Sequence, residues 1–181
     1  MNIFEEVLAQ SKKDKQIIGI REYGEDTKFS CGYVVDYTFD WVLIQHFSIL
    51  GLADGLILMQ TQNMESLEVN SDYTCSFQKL STALENNINS IWGVKLPQSE
   101  NWASEFIAPY LNAKKVIEII FEDGFGIHGR VAKLDHEFIK FETVGDLGEL
   151  DGACIYRLEN IMTIHIDSLE SRKRGSLLEL K

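Results

Sequence analysis

Four histidines are the first candidates for metal binding or acid–base chemistry: His46, His128, His136 and His165. None has a histidine partner four residues away, the spacing that places two imidazoles on one face of a helix. His128 and His136 flank one predicted hairpin beside Asp135 and Glu137, and imidazole with carboxylate suits zinc or manganese. Aspartate, histidine and glutamate are also ordinary solvated turn residues. We therefore predict no metal site.

Nucleophiles and phosphate loops are the next candidates. Cys31, Cys75 and Cys154 are an odd number of cysteines without C-x-x-C spacing, which favours reduced thiols over disulfides or zinc. The Gly124-Phe125-Gly126 run lies between two predicted strands and no helix follows it, so it is typical of a hairpin turn. No G-x-S-x-G motif is present. We expect no catalytic residues and no cofactor, hence a protein that is not an enzyme.

The charge of the chain restricts its partners. Its formal net charge is −11. Residues 15–73 contain three basic and nine acidic residues, and residues 114–168 contain six and eleven. Affinity for nucleic acid depends largely on cations that neutralise phosphates, which disfavours nonspecific binding by so acidic a body. The acidic N-terminus and the absence of an apolar run long enough for a bilayer predict a cytoplasmic protein without membrane contact.

An internal similarity at an offset of 97 positions indicates how the chain is organised. Within 40 aligned positions, eight pairs are identical: Gly32/Gly129, Val34/Val131, Leu50/Leu147, Gly51/Gly148, Asp54/Asp151, Gly55/Gly152, Asn63/Asn160 and Ser71/Ser168. Roughly two or three identities are expected by chance at ordinary composition. We interpret the chain as two copies of one motif.

Each copy contains five short runs rich in β-branched and aromatic residues, separated by turn residues. The first copy has them at 16–23, 31–37, 41–46, 56–60 and 66–69, and the second at 116–121, 127–134, 138–142, 153–157 and 162–166. Asp-Gly precedes the fourth run of both copies and predicts a turn. Five strands in about 55 residues predict a small closed barrel without exposed sheet edges.

The strand order, the Asp-Gly before the fourth strand and the Arg157-Leu158-Glu159-Asn160-Ile161 corner resemble the Sm-like barrel family. The resemblance implies a mainly β fold with two tandem five-stranded Sm-like barrels. They would occupy 15–73 and 114–168, after an N-terminal helix at 1–14, with a helical connector at 74–113 and a C-terminal tail at 169–181. The family's RNA-reading corner usually has Arg-Gly, whereas this chain has Arg157-Leu158 and Gln60-Thr61.

Helical signals occur outside the barrels. Asn2 and Glu5 are spaced as a helix cap at the start of the chain. In the connector, Thr82 with Glu85 and an apolar stripe predict a helix at 82–92, and a second helix at 99–107 would end before Pro109. The basic tail should be partly mobile.

Alternation along the strands predicts which side chains face outward. With Val42, Ile44, Leu56 and Leu58 pointing inward, the outward set is Trp41, Leu43, Ile57 and Met59 in the first copy, and Phe138, Cys154 and Tyr156 in the second. So many apolar residues need a cover, which either the same chain or a partner could supply. The possible interface residues are Trp41, Leu43, Met59, Phe138 and Tyr156.

Two functions follow as hypotheses. The first is a non-enzymatic interaction or assembly protein built from duplicated Sm-like barrels, which acts through a protein partner or self-association. The alternative is an RNA-associated regulator, because the second copy has the more basic residues. Its contacts would be Arg130, Lys133 and Arg157, with the basic tail.

Overall fold

Two compact units, Met1–Lys95 and Leu96–Lys181, make up the chain. The computed structural model describes residues 2–23, 29–84, 94–99, 101–111 and 113–181. These ranges are mainly β, with ten strands and four α-helices.

The first unit is an antiparallel sheet with a helix before it and a helix after it. Its elements are α1 (Ile3–Asp14), β1 (Ile18–Glu22), β2 (Phe29–Tyr37), β3 (Trp41–Phe47), β4 (Ala53–Gln60), a 3₁₀ turn (Thr61–Asn63), β5 (Met64–Glu68) and α2 (Asp72–Ala83). The strand order is β5-β1-β2-β3-β4.

The second unit has the same succession of strands. Its elements are α3 (Trp102–Ile107), a 3₁₀ turn (Ala108–Tyr110), β6 (Ile117–Phe121), β7 (Gly126–Leu134), β8 (Phe138–Val144), β9 (Leu150–Arg157), a 3₁₀ turn (Leu158–Asn160), β10 (Ile161–Ile166) and α4 (Leu169–Glu179). The order is β10-β6-β7-β8-β9. The bounds of β2, β3 and β4 recur 97 positions later in β7, β8 and β9.

Neither unit forms the predicted closed barrel. After the 3₁₀ turn that follows the fourth strand, β5 pairs with β1 and β10 pairs with β6, at the opposite end of each strand order from β4 and β9. Among the described residues no ladder joins β4 to β5 or β9 to β10. Each unit is therefore an open antiparallel sheet.

The glycines of the predicted Asp-Gly turns have a different role from the one expected. Gly55 and Gly152 do have positive φ, at 72° and 76°. They lie inside β4 and β9, next to a register shift against the preceding strand, and so belong to a bulge. The turns themselves end at Gly51 and Gly148, whose φ values are 73° and 72°.

Both faces of the first sheet are covered by apolar contacts. One core cluster contains Leu8 of α1 together with Ile18, Ile20, Val34, Val42, Ile44, Ile57, Met59 and Met64. A second cluster contains Phe77 of α2 with Ile17, Cys31, Tyr33 and Phe47. The predicted cap of α1 is present, since Asn2 and Glu5 bond reciprocally to each other's backbone amides.

The helices of the connector and tail differ from their predictions. Thr82 lies in the last turn of α2 and donates to the carbonyl of Gln78, so it does not cap a new helix. Most of the predicted 82–92 helix lies outside the described residues. The 99–107 helix is shorter than predicted, and the tail expected to be mobile is the helix α4, capped by Ser168.

One polar contact links α1 to β2. The fully buried Ser11 hydroxyl donates to the carbonyl of Gln16 at 2.7 Å and accepts from the amide of Val34 at 3.0 Å. β1 pairs with β2 only from Ile18, which lies opposite Gly32, so the amide of Val34 is beyond the end of that ladder. The Ser11 hydroxyl satisfies this amide in place of a strand.

Ser11→Ala should lower the free energy of unfolding by about 1–3 kcal/mol, because it leaves the buried Val34 amide without an acceptor. Urea unfolding followed by circular dichroism measures the change. Ser76→Ala, on the exposed face of α2, is the matched control and should stay within about 0.5 kcal/mol of the wild type. Equal stability of the two variants would contradict this role.

Candidate functional site

Cross-strand pairing decides which residues share a face of the first sheet. Val42 lies opposite Met59 and Ile44 opposite Ile57 in the β3–β4 ladder. Opposite residues point to the same side, so the predicted outward orientation of Ile57 and Met59 is wrong. Both are in the core cluster with Leu8.

The remaining interface residues predicted in the first unit do lie on the other face. Leu43 pairs with Leu58, and Trp41 pairs with Gln60. Trp41 and Leu43 are nevertheless buried within the chain, as are Leu56 and Leu58. This apolar face is not available for a partner in the isolated chain.

β9, the fourth strand of the second unit, is exposed, unlike the buried apolar face of the first unit. Every residue of β9 is exposed except Tyr156, which is half-buried. Ile155 is 69% exposed and Leu150 58%. Among the strands that the structure describes, β9 pairs with β8 alone, so one row of its backbone amides and carbonyls has no described strand beside it. The structure thus places an apolar edge strand at the surface of this unit.

Phe138 and Tyr156, both predicted as outward, lie on opposite faces of the β8–β9 pair. Phe138 is opposite Arg157, whereas Tyr156 is opposite the buried Ile139. Tyr156 and Cys154 therefore face the core side, where the open sheet leaves them partly accessible. The sequence could not show this, because the alternation of one strand does not reveal its register with the next.

The three predicted RNA contacts come together on the Phe138 face. Arg130 pairs with Glu142, and Lys133 pairs with Lys140. Lys140, which the sequence analysis missed, pairs in turn with Ile155. Four basic side chains therefore occupy one sheet face, and Lys133 and Lys140 lie directly opposite each other, an arrangement that is destabilising for like charges.

Arg157 is the most constrained of these cations. Its guanidinium binds the carboxylate of Glu137, lies 3.7 Å from a carboxylate oxygen of Glu159 and sits 4.8 Å from the ring centroid of Phe138. Much of its charge is thus neutralised within the turns that flank β8 and β9.

A groove opens beside Tyr156, on the core side of β9. It has a volume of about 570 Å³ and is lined by Phe121, Glu122, Asp123, Phe125, Tyr156, Arg157 and Asn160. The Phe121 ring lies 4.7 Å from Tyr156 and 6.5 Å from Phe125, measured between centroids. Burial and then a hydrogen bond with Cys154 raise the pKa of Tyr156 to about 12, so the phenol is uncharged at neutral pH.

A polar cluster lies on neighbouring strands of the same unit. Glu118 pairs with His128 on one side and His165 on the other. One Glu118 oxygen is 3.0 Å from Nδ1 of His165, and the other is 3.8 Å from Nδ1 of His128. His136, the partner that the sequence suggested for His128, is in the exposed turn before β8. No group of three or more His, Cys, Asp or Glu residues suited to a metal occurs among the described residues.

Burial determines the protonation of His128. Desolvation is the largest influence and lowers its pKa, Glu118 opposes this, and Arg174 of α4 adds to it. Glu170 raises the pKa and His165 lowers it. Burial prevails because the Glu118 oxygen is too distant for a hydrogen bond, and the buried Nε2 has no partner among the described residues.

All three cysteines are free thiols. Cys31 is buried, and desolvation followed by the nearby Glu68 carboxylate raises its pKa to about 11. Such a thiol is neutral at physiological pH and a poor nucleophile. Cys75 and Cys154 are exposed.

No protein-family model matches the chain, and no curated protein matches it. Among the described residues, no helix has the length and apolar content that crossing a bilayer requires.

The lowered pKa of His128 should make the second unit less stable in mild acid. As the pH falls below about 6.5, the unfolded chain binds a proton that the folded chain still excludes, so the free energy of unfolding decreases until the folded pKa is passed. His128→Gln should therefore show a smaller loss of stability than the wild type between about pH 7.5 and about pH 5.5.

Urea unfolding at the two pH values measures this difference. His136→Gln, at an exposed position in the turn before β8, is the matched histidine-to-glutamine control. An identical pH dependence in the His128→Gln variant and the wild type would show that His128 does not contribute.

Proposed function

We propose that this chain is a non-enzymatic assembly protein, built from an internally duplicated Sm-like fold, that binds other protein chains through the edge of β9. The observation that carries the proposal is the exposure of every residue of this strand except Tyr156, with one edge that no described strand pairs with.

Matched backbone features support the duplication. Residues with positive φ recur at an offset of 97 positions in three pairs: Gly51/Gly148, Gly55/Gly152 and Asn70/Asp167. Ser71 and Ser168 cap α2 and α4 in the same way, each accepting from the amide three residues later. Turns, bulges and caps that agree in position are difficult to explain by two independent origins.

The edge of β9 has a bulge at Gly152 but neither proline nor lysine to block strand pairing. Exposed edges are commonly blunted by proline, by lysine or by a covering segment. β9 contains no proline or lysine, and it presents Leu150 and Ile155 to solvent. Pairing with another strand would satisfy its backbone groups and bury these side chains, each worth roughly 1.5–3 kcal/mol when fully buried.

A second copy of this chain suits this edge. In the described part of the chain β5, like β9, pairs with one strand only, and so it offers a second edge for pairing. β5 carries Glu65 and Glu68, whereas the sheet face beside β9 carries Lys133 and Lys140, with Arg130 opposite Glu142. Opposite charges would favour pairing of β9 with β5 of another copy, in a head-to-tail arrangement.

We expect the protein to self-associate in a concentration-dependent manner, and Ile155→Lys to weaken this roughly tenfold or more, because it places a charge where an apolar side chain would be buried. Sedimentation velocity over a range of concentrations measures the association.

Ile49→Lys is the matched control, since Ile49 is 83% exposed in the turn after β3 and away from any strand edge. It should associate like the wild type. A strict monomer at high concentration in the wild-type protein would overturn the proposal.

The alternative function, RNA association, is favoured by one observation. Lys133 and Lys140 are opposed on an exposed sheet face, and a bound phosphate would relieve their repulsion. Lys133→Ala and Lys140→Ala should each reduce the salt dependence of RNA affinity by about one charge. Lys79→Ala, on α2, is the control. A filter-binding titration with single-stranded RNA that shows no salt-dependent affinity would exclude this function.

A further inference from the structure

We propose that the groove beside β9 binds the guanidinium of an arginine side chain. The three aromatic residues Phe121, Phe125 and Tyr156, together with the carboxylates Glu122 and Asp123, form what we call the aromatic groove. The proposal is separate from strand addition, because the groove lies on the Tyr156 face and does not use the backbone edge of β9.

The rings provide a surface suited to a cation. Phe121 and Phe125 are nearly parallel, with 13° between their planes, and Tyr156 is inclined by 36° to Phe121. The face of an aromatic ring is negative, so it attracts a cation placed over it. Phe125 is 55% exposed, although it is a large apolar residue in a tight turn. Its ring is accessible to a ligand from solution.

The charge at the groove also favours a cation. Glu122 and Asp123 are exposed at its rim, and neither forms an ion pair with a described residue. Asp123 accepts a hydrogen bond from the amide of Phe125, which holds the turn in place. The one cation in the lining, Arg157, is bound to Glu137 and lies against Phe138 on the other face of the strand.

The carboxylates of Glu122 and Asp123 determine which of the ligands that bind to aromatic rings the groove favours. A nucleotide would bring its phosphates towards two carboxylates, and a neutral apolar group would gain nothing from them. Arginine gains from both features, because its planar guanidinium stacks on rings and donates to carboxylates, and it is less strongly hydrated than an ammonium group. Asn160 adds an amide at the same rim.

A pair of small probes tests this directly. Nα-acetylarginine amide and Nα-acetylcitrulline amide have nearly the same shape and the same backbone groups, but only the first is charged. We expect the arginine probe to shift the amide NMR signals of Phe125 and Asn160 in a saturable, salt-sensitive titration. The citrulline probe should bind at least about twofold to fivefold more weakly.

Two variants locate the site. Phe125→Leu should weaken arginine binding about twofold to fivefold, and Glu122→Gln should weaken it and reduce its salt sensitivity. Phe39→Leu and Glu65→Gln are matched controls, because both residues are exposed and belong to the first unit. They should leave binding unchanged, and circular dichroism checks that all four variants are folded.

The results distinguish the proposal from its competitors. Equal binding of arginine and citrulline, or no binding of either, would overturn it. A titration in which adenosine monophosphate shifts the same signals and arginine does not would also overturn it and would indicate a site for nucleobases. Self-association is measured separately, so a strictly monomeric protein could still bind arginine here.

Discussion

Residues that lie opposite each other on neighbouring strands share a face of the sheet. In each unit, the pairing of the third and fourth strands has the largest effect on which side chains face the core. The bulges at Gly55 and Gly152 shift that register. Beyond the bulge in the first unit, Ile57 and Met59 join the core. Beyond the bulge in the second unit, Tyr156 lies on the core side, and Ile155 lies on the face that carries Lys133 and Lys140. The exposed edge, the basic face and the aromatic groove all follow from this pairing.

Much of the secondary structure could be predicted from the sequence. Alternating apolar residues and turn signals indicated ten strands, and all ten are present with small differences at their ends. The helices were harder, because few of the residues that two of them bury are apolar. α2 buries Thr74, Phe77 and Ser81, and α4 buries Ser171. The hydrophobic periodicity of these two helices is therefore weak. The serine that precedes each of them is a typical N-cap residue and could have predicted where the helix begins.

The candidate site was less predictable, since it depends on contacts distant in sequence. Arg130, Lys133 and Arg157 could be grouped by charge, but their common face and the addition of Lys140 required the ladder. The aromatic groove combines a hairpin turn with the end of β9, more than 30 positions further along. Closure was also mispredicted: five strands suggested a barrel, and the direction taken by the chain after its 3₁₀ turns left each sheet open.

The contacts of the helices that follow the last strands differ between the two units. In the first unit, Cys31 and Phe77 belong to an apolar cluster between β2 and α2. At the positions 97 residues later, the second unit has His128 and Arg174, and Arg174 binds Glu170 within α4 and the carbonyl of Val144. The stability that buried apolar contacts provide changes little with pH or salt, whereas the stability from charged contacts depends on both.

The packing of α4 on its sheet should therefore depend on pH and salt concentration more than the packing of α2 does. At the same two positions the second unit lacks the apolar side chains of the first, and its sheet has charged and accessible side chains. Of the two units, the second is the one whose surface has the chemical variety that recognition requires, because it combines an open strand edge, a basic face and an aromatic groove. The first unit has apolar contacts on both faces of its sheet, so that in the described part of the chain its edge strand β5 is what it offers for pairing.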